Sequence, residues 1–445
     1  MQSEPWAPYV PDAQMPWTLE RAVHLHRRAA FGATWEELQR DLKDGPAASV
    51  ERLLAGTAAL RTEAEFSTTA ALLADAAASA GEIKRLKACW FFRMLLGPDP
   101  LGEKLTLLWH DHFATANSKV RDVGLMRQQN EVLRRHARGR FADLLNASVR
   151  EPALLVYLDA PANRNGHPNE NLARELMELF TIGVGHFSEV DVKEAARALT
   201  GWTVNDRAFK SEAERHDGGE KTILGKPGKW TGDDLVKTLI ELPATAERIV
   251  TKLCRQFFGE PSPPASAKQA LATDLREHDL DIGWAVGTIL KSKLFFADAN
   301  LHSRVLSPVE FIVGAARALE LIDPPPSTLA MADWSARMGQ DLFDPPNVGG
   351  WPGGSTWMSA RGLIARANYA AALVNGPNAG RTTPYEPGAL AAKYGFGTDA
   401  AAVLRFHHQL LFGIEPAMEL RENVPGADGG QIVSRLLASP EAQLG

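Results

Sequence analysis

The sequence predicts an all-α protein, and three observations carry that prediction. Helix start and stop residues recur along the whole chain, apolar positions between them follow a helical period, and alternating strand-like stretches are nearly absent. Thr18 is placed to cap a helix over 19–31 that stops at Gly32. Thr34 and Glu37 make a capping box for the next helix, which stops at Gly45, and Pro46 opens a third that ends near Gly56. The Ala-rich stretch 63–80 follows, and then the apolar stretch 83–96, ended by Gly97-Pro98. Further helices are predicted over 101–114, 123–138, 169–182 and 188–200, the last capped by Ser188 with Asp191. Residues 201–230 are rich in Gly, Lys, Asp and Glu without apolar periodicity, and predict a long loop with a small hairpin around 221–224. Helical signals resume over 233–242, 244–258, 268–278, 282–292 and 308–321. They pause in a second irregular stretch at 342–358 and return over 360–374, 400–411 and 431–437.

The expected organisation is an arm over 1–17 and one large helical domain over 18–445; a split into two lobes near 201–230 is the alternative. The 445 residues are 45% hydrophobic and 23% charged, the balance of an ordinary globular chain able to bury a sizeable core. Lys+Arg 48 against Asp+Glu 54 gives a net charge of −6, so there is no basic excess to attract a nucleic-acid backbone. No stretch approaches the roughly 18 apolar residues that a membrane span requires. Residues 1–17 have neither a basic region nor an apolar run, so they do not read as a signal peptide, and the chain as it stands reads as cytoplasmic. Cys89 and Cys254 lie in apolar helical contexts without a CxxC partner and are expected to be buried thiols.

Common catalytic motifs are absent: there is no HExxH, no GxSxG, no EF-hand loop and no GxGxxG opening a helix. Four groups of residues remain. In Trp109-His110-Asp111-His112-Phe113 the two histidines point about 200° apart on a regular helix, so both reach one ion only if the helix ends by His112. On the 169–182 helix, Asn171, Arg174, Glu175 and Glu178 share a polar stripe; on the 188–200 helix Asp191, Glu194 and Arg197 share another. The stripes read either as ordinary ion pairs or as a buried polar wall in which Glu175 and Glu178 ligate a metal or exchange protons. The loop residues His216, Asp217 and Lys221 form a third group. The fourth is PPNVGGWPGG followed by Trp357, a Pro/Gly loop whose Trp351 and Trp357 read as a sugar or peptide platform or as a plug over the core. His407-His408 reads as surface.

Taken together, HLHRRAAFGAT, KLTLLWHDHFATAN, PNENLARELMELFTIGVGHFSEVDVKEAARALTGW, RHDGGEKTILG and MGQDLFDPPNVGGWPGGSTW resemble the bacterial DUF1800 family, in that family's order and across residues 20–360. The resemblance implies no particular activity. It implies that relatives are often exported and encoded beside a sulfatase-like family, DUF1501, which is the partner it suggests. Ser303-Arg304 ahead of LSPVEF departs from the family's usual Lys before Ser-Pro.

The favoured expectation is a metal-dependent hydrolase or oxidoreductase using a divalent ion such as Zn, Mn or Fe. His110, His112, Glu175, Glu178 and His216 would be its ligands, with His216, Glu175 and Glu178 doubling as bases or acids. Asp217 and Lys221 would support the site, and Arg174 and Arg197 would hold carboxylates or an anionic substrate. Asn169, Asn171, Trp351 and Trp357 would contact substrate. The competing expectation is a non-catalytic polysaccharide- or protein-binding or assembly protein in which the Arg/Glu network only fixes helix register.

Overall fold

Capping chemistry sets the helix boundaries. In the computed structural model, which describes residues 5–56, 61–259, 262–381, 383–422 and 426–445, Thr34 with Glu37 and Ser188 with Asp191 form reciprocal caps. They open the helices Trp35–Asp44 and Glu189–Ala198. Thr231 with Asp234 and Ser307 with Glu310 do the same for Gly232–Glu241 and Pro308–Ala318. Each cap satisfies orphan amides at a helix start and is worth about 1 kcal/mol. Among the described residues there are twenty-four α-helices and two two-stranded hairpins, so the class is all-α. No helix among them is long and apolar enough to cross a membrane.

The apolar faces close into two hydrophobic cores. Helix Leu19–Ala29 sends Leu25 and Ala29 into the first and Ala22 and Val23 into the second. Helix Pro100–His112 sends Leu101, Leu105, Leu108 and Trp109 into the first and Leu107 into the second. These two helices therefore belong to the wall shared by both cores, as do Val123–His136 and Pro152–Tyr157. Trp202, Ile223 and Trp230, from the irregular 201–230 stretch, belong to the first core. The C-terminal residues run beside 304–306: Gly445 N donates to Arg304 O (2.7 Å) and Leu306 N to Gln443 O (2.8 Å).

Several expectations are corrected. The 169–182 helix is an α-helix only over Asn171–Glu175; it widens into a π-helical turn at Leu176–Phe180, which Thr181 Oγ1 closes on Leu176 O at 2.6 Å. The 201–230 stretch contains the expected hairpin, Lys221–Ile223 with Lys226–Gly228, and a second one, Trp202–Asn205 with Ala208–Ser211. Its turn residues Asp206 and Arg207 both have positive φ (49° and 62°), as a mirror-image hairpin turn requires, but without the glycine that usually signals it. Helices Phe141–Ser148 and Pro152–Tyr157 escaped prediction because they are too short to show a period. His407 and His408 are not surface residues. Both are buried, because helix Ala400–Phe412 packs a wide face into the second core; Tyr385 donates to His407 Nε2 at 2.8 Å. Cys89 and Cys254 are buried free thiols as expected.

Candidate functional site

The residues singled out from the sequence fall into separate places. Helix Pro100–His112 stays regular to its last residue, so its two histidines diverge. His110 Nε2 accepts a hydrogen bond from Phe343 N (3.1 Å), and its ring packs on Trp90, Phe343 and Trp351; burial lowers its pKa to about 4, so it is neutral at pH 7. His112 points the other way, its Nε2 donating to Phe180 O at 3.2 Å, and burial holds it neutral too. His216 lies apart from both and bonds Thr200 O through Nδ1 at 3.1 Å. Among the described residues, no group of three His, Cys, Asp or Glu side chains is placed to hold a metal ion. The five expected ligands His110, His112, Glu175, Glu178 and His216 are not brought together.

The polar stripes close on themselves. Arg174 pairs with Glu170 (2.9 Å) and Glu189 (2.8 Å), and Arg197 pairs with Glu194 and Asp217, both at 2.7 Å. Lys221, 2% exposed, gives its ammonium to the carbonyls of Asp217 and Gly219. Leu224 N and Thr222 N donate to Asp191 and Glu194, so the helix stripe is the rail on which the 217–224 loop lies. Asn169 makes a turn with Asn171 N, and Asn171 donates to Asp159 at 2.9 Å. Glu175 and Glu178 are half-buried; burial raises the Glu175 pKa, Glu178 adds to that and Arg174 opposes it.

The two tryptophans have a different setting. They line a cleft of about 220 Å³ at the seam between the cores. Helix Pro100–His112 contributes Lys104, Leu107, Leu108 and Asp111; helix Pro243–Phe257 contributes Lys252, Arg255 and Gln256. Ser303, Arg304, Ser307 and Glu310 form another wall, and Gln340, Trp351 and Trp357 complete it. Gly350, at φ +80°, carries the loop over Asp111: any side chain there would overlap the Asp111 carboxylate and carbonyl oxygens. That close approach lets Trp351 N donate to Asp111 Oδ1 at 2.8 Å, while Asp111 Oδ2 pairs with Lys252 at 2.8 Å. Arg255 donates to Pro352 O and holds the loop from the other side.

Glu310 is the electrostatic centre of the cleft. One of its oxygens caps the helix through Ser307 N (2.8 Å); the other takes Lys104 (2.9 Å) and Arg304. Burial alone would raise its pKa, but Arg304 and Lys104 hold it well below the usual carboxylate range. Arg28 and Arg366 are also buried nearby and Arg27 is half-buried, and Glu310 is the carboxylate acting on each. Their terminal guanidinium nitrogens meet neutral acceptors: Leu411 O and Ala442 O for Arg27, Phe257 O, Asn300 O and Ser303 Oγ for Arg28, Leu306 O and Gln443 for Arg366, while Nε of Arg28 and of Arg366 is buried without a partner. Burial brings Lys104 down to about 8 against the pull of Glu310. Arg304 Nε is buried without a partner. In the lining itself, Lys104, Lys252, Arg255 and Arg304 stand against Asp111 and Glu310, leaving cations in excess.

Sequence reasoning found Trp351 and Trp357 but missed the charged residues around them. The available signal was a lysine and a glutamate on otherwise apolar helix faces, Lys104 in KLTLLW and Glu310 in PVEFIV. No curated protein and no solved structure matches this chain. The model of a family described as a protein of unknown function, DUF1800, matches residues 24–444, and the chain therefore belongs to the DUF1800 family.

Proposed function

We propose that the protein works by binding an anionic ligand in the cleft under Trp351 and Trp357. Of the two functions the sequence left open, this is the binding one. The observation that carries it is the charge imbalance around Glu310: Lys104, Lys252, Arg255 and Arg304 line the open space against Asp111 and Glu310 alone, and Arg28 and Arg366 are buried behind them. Leaving cations buried without counter-charge is costly, and an incoming anion relieves that cost. The ligand's charge replaces the missing carboxylates, while Gln256, Gln340, Ser303 and Ser307 supply hydrogen bonds to its neutral groups.

The test is thermal denaturation with sulfate, phosphate or citrate against chloride at equal ionic strength, for the wild type and Arg304→Gln. A bound ligand raises Tm by mass action, whereas the general salting effect of these anions acts on both proteins alike. The expected result is a larger anion-dependent rise in the wild type than in a folded Arg304→Gln variant. Equal rises in both would defeat the proposal.

A further inference from the structure

We propose that the corner between helices Phe141–Ser148 and Pro152–Tyr157 is a proton-operated latch, closed while the carboxyl group of Glu151 holds a proton and loosened when that proton passes to solvent. The corner lies outside the anion-binding cleft, and the latch adds a response of the fold to pH.

The geometry of Glu151 leads there. Its N donates to Ser148 O at 3.1 Å and its carbonyl accepts from Leu155 N at 3.0 Å, so its backbone ties the end of one helix to the start of the next. Its side chain is 7% exposed, and among the described residues Oε2 has no hydrogen-bond partner. The neighbouring Arg150 is committed elsewhere: it bonds Asp233 and lies over the Trp202 ring at 5.0 Å. A buried carboxylate with an unpartnered oxygen bears a large desolvation cost, which binding a proton removes.

Little around the corner opposes that. Packed against it are helices Val123–His136 and Asn117–Val120, strand Trp202–Asn205 and the short helix Ala160–Ala162. The last two carry no charged side chain. Lys119 bonds Asp159 at 2.9 Å. On helix Val123–His136, Arg127 pairs with Asp75, and Arg134 pairs with Glu103 (2.6 Å) and Glu131 (3.1 Å). Among the described residues Arg135 is the charged group that acts on Glu151, rather than His136 or Asp143, and Gln128 adds a side-chain hydrogen bond. Burial outweighs both and pushes the carboxyl from an ordinary 4.5 up to about 7. The unfolded chain gives up this proton near 4.5 and the folded corner near 7. The stability it contributes is therefore fully present below about pH 4.5, declines as pH rises, and is gone above about 7.

The test compares wild type with Glu151→Gln, which stays neutral at every pH, by urea denaturation from pH 5 to 9. The folding constant of the variant relative to the wild type should climb by up to about tenfold per pH unit and level off above about pH 7. Amide exchange, corrected for its intrinsic pH dependence, supplies a second readout that needs no variant. Between pH 6 and 8 the Leu155 and Leu158 amides of the wild type should lose protection relative to those of helix Pro308–Ala318. This readout decides alone if Glu151→Gln does not fold. A ratio of folding constants that is flat with pH, or corner amides that keep their relative protection across that range, overturns the inference.

Discussion

Two regions of this molecule concentrate charge, and they handle it in opposite ways. Along the Glu189–Ala198 helix and the 217–224 loop, Arg197 meets two carboxylates and Lys221 is held by backbone carbonyls. The arginine is matched within the network, and the loop is pinned to the helix. Around Glu310, Lys104 and Arg304 share one carboxylate with Arg27, Arg28 and Arg366 behind them, and the space in front is open. A closed ion network fixes a fold, whereas an unbalanced one beside a cavity is poised for a ligand. Counting charged residues in a stripe does not separate the two cases; counting unmatched ones does.

The largest test of that contrast removes the balance point. Glu310→Gln leaves the buried cations without their carboxylate, and loss of one member of a buried pair costs about 3–5 kcal/mol. Urea denaturation should show that loss, and added sulfate should recover part of it in the variant more than in the wild type. A fully stable Glu310→Gln protein would mean that the cations are not held by that carboxylate. Gly350→Ala should come next. It forces a side chain into Asp111 at a positive φ, so it should cost about 2 kcal/mol, displace Trp351 and change the indole fluorescence. Unchanged fluorescence and stability would show that the loop does not depend on this close approach.

A paired substitution then sets the regions directly against each other. Lys221→Met strands the carbonyls of Asp217 and Gly219 in the closed network, and should cost about 1–3 kcal/mol of stability with no change in anion affinity. Lys252→Met breaks a partly exposed pair with Asp111, which should cost under about 1 kcal/mol of stability but weaken anion binding several-fold. If Lys221→Met abolished binding and Lys252→Met left it intact, the roles assigned to the two regions would have to be exchanged.

The fold was legible in the sequence because caps and apolar periods are local. Thr34 with Glu37 and Ser188 with Asp191 act within four residues of themselves, and both work as their spacing implies. The Trp202–Ser211 hairpin was not legible, since its turn uses Asp206 and Arg207 at positive φ in place of the usual glycine. Among candidate site residues, Trp351 and Trp357 stood out because a Pro/Gly loop carrying indoles is unusual in itself. Lys104, Arg304 and Glu310 did not, because each is a single charge in its own segment and only tertiary packing gathers them. The Asn169–Glu178 and 216–221 groups drew attention for the opposite reason: their charges are dense in sequence, and it is that density which allows most of them to pair locally.

The smallest expected effect is a pH dependence of anion affinity, set by Lys104 beside Glu310. Burial brings Lys104 to about 8, from an ordinary lysine near 10.5. Below pH 8 it carries its proton whether or not an anion is bound, so affinity should be flat there. Above pH 8 the free protein loses that proton, and an anion that prefers the charged form must first restore it. Affinity should then fall by at most about tenfold per pH unit, until the raised pKa of the liganded state is reached. Calorimetric titrations between pH 6 and 9.5 would show the bend, and Lys104→Arg, charged throughout, should remove it if the variant folds. The paired carboxylates of the closed network offer no comparable bend, since Asp217 and Glu189 are both held below the usual carboxylate range by Arg197 and Arg174 and stay ionised across that window. An affinity that is flat to pH 9.5 would place the anion away from Lys104, toward the mouth of the cleft at Lys252 and Arg255.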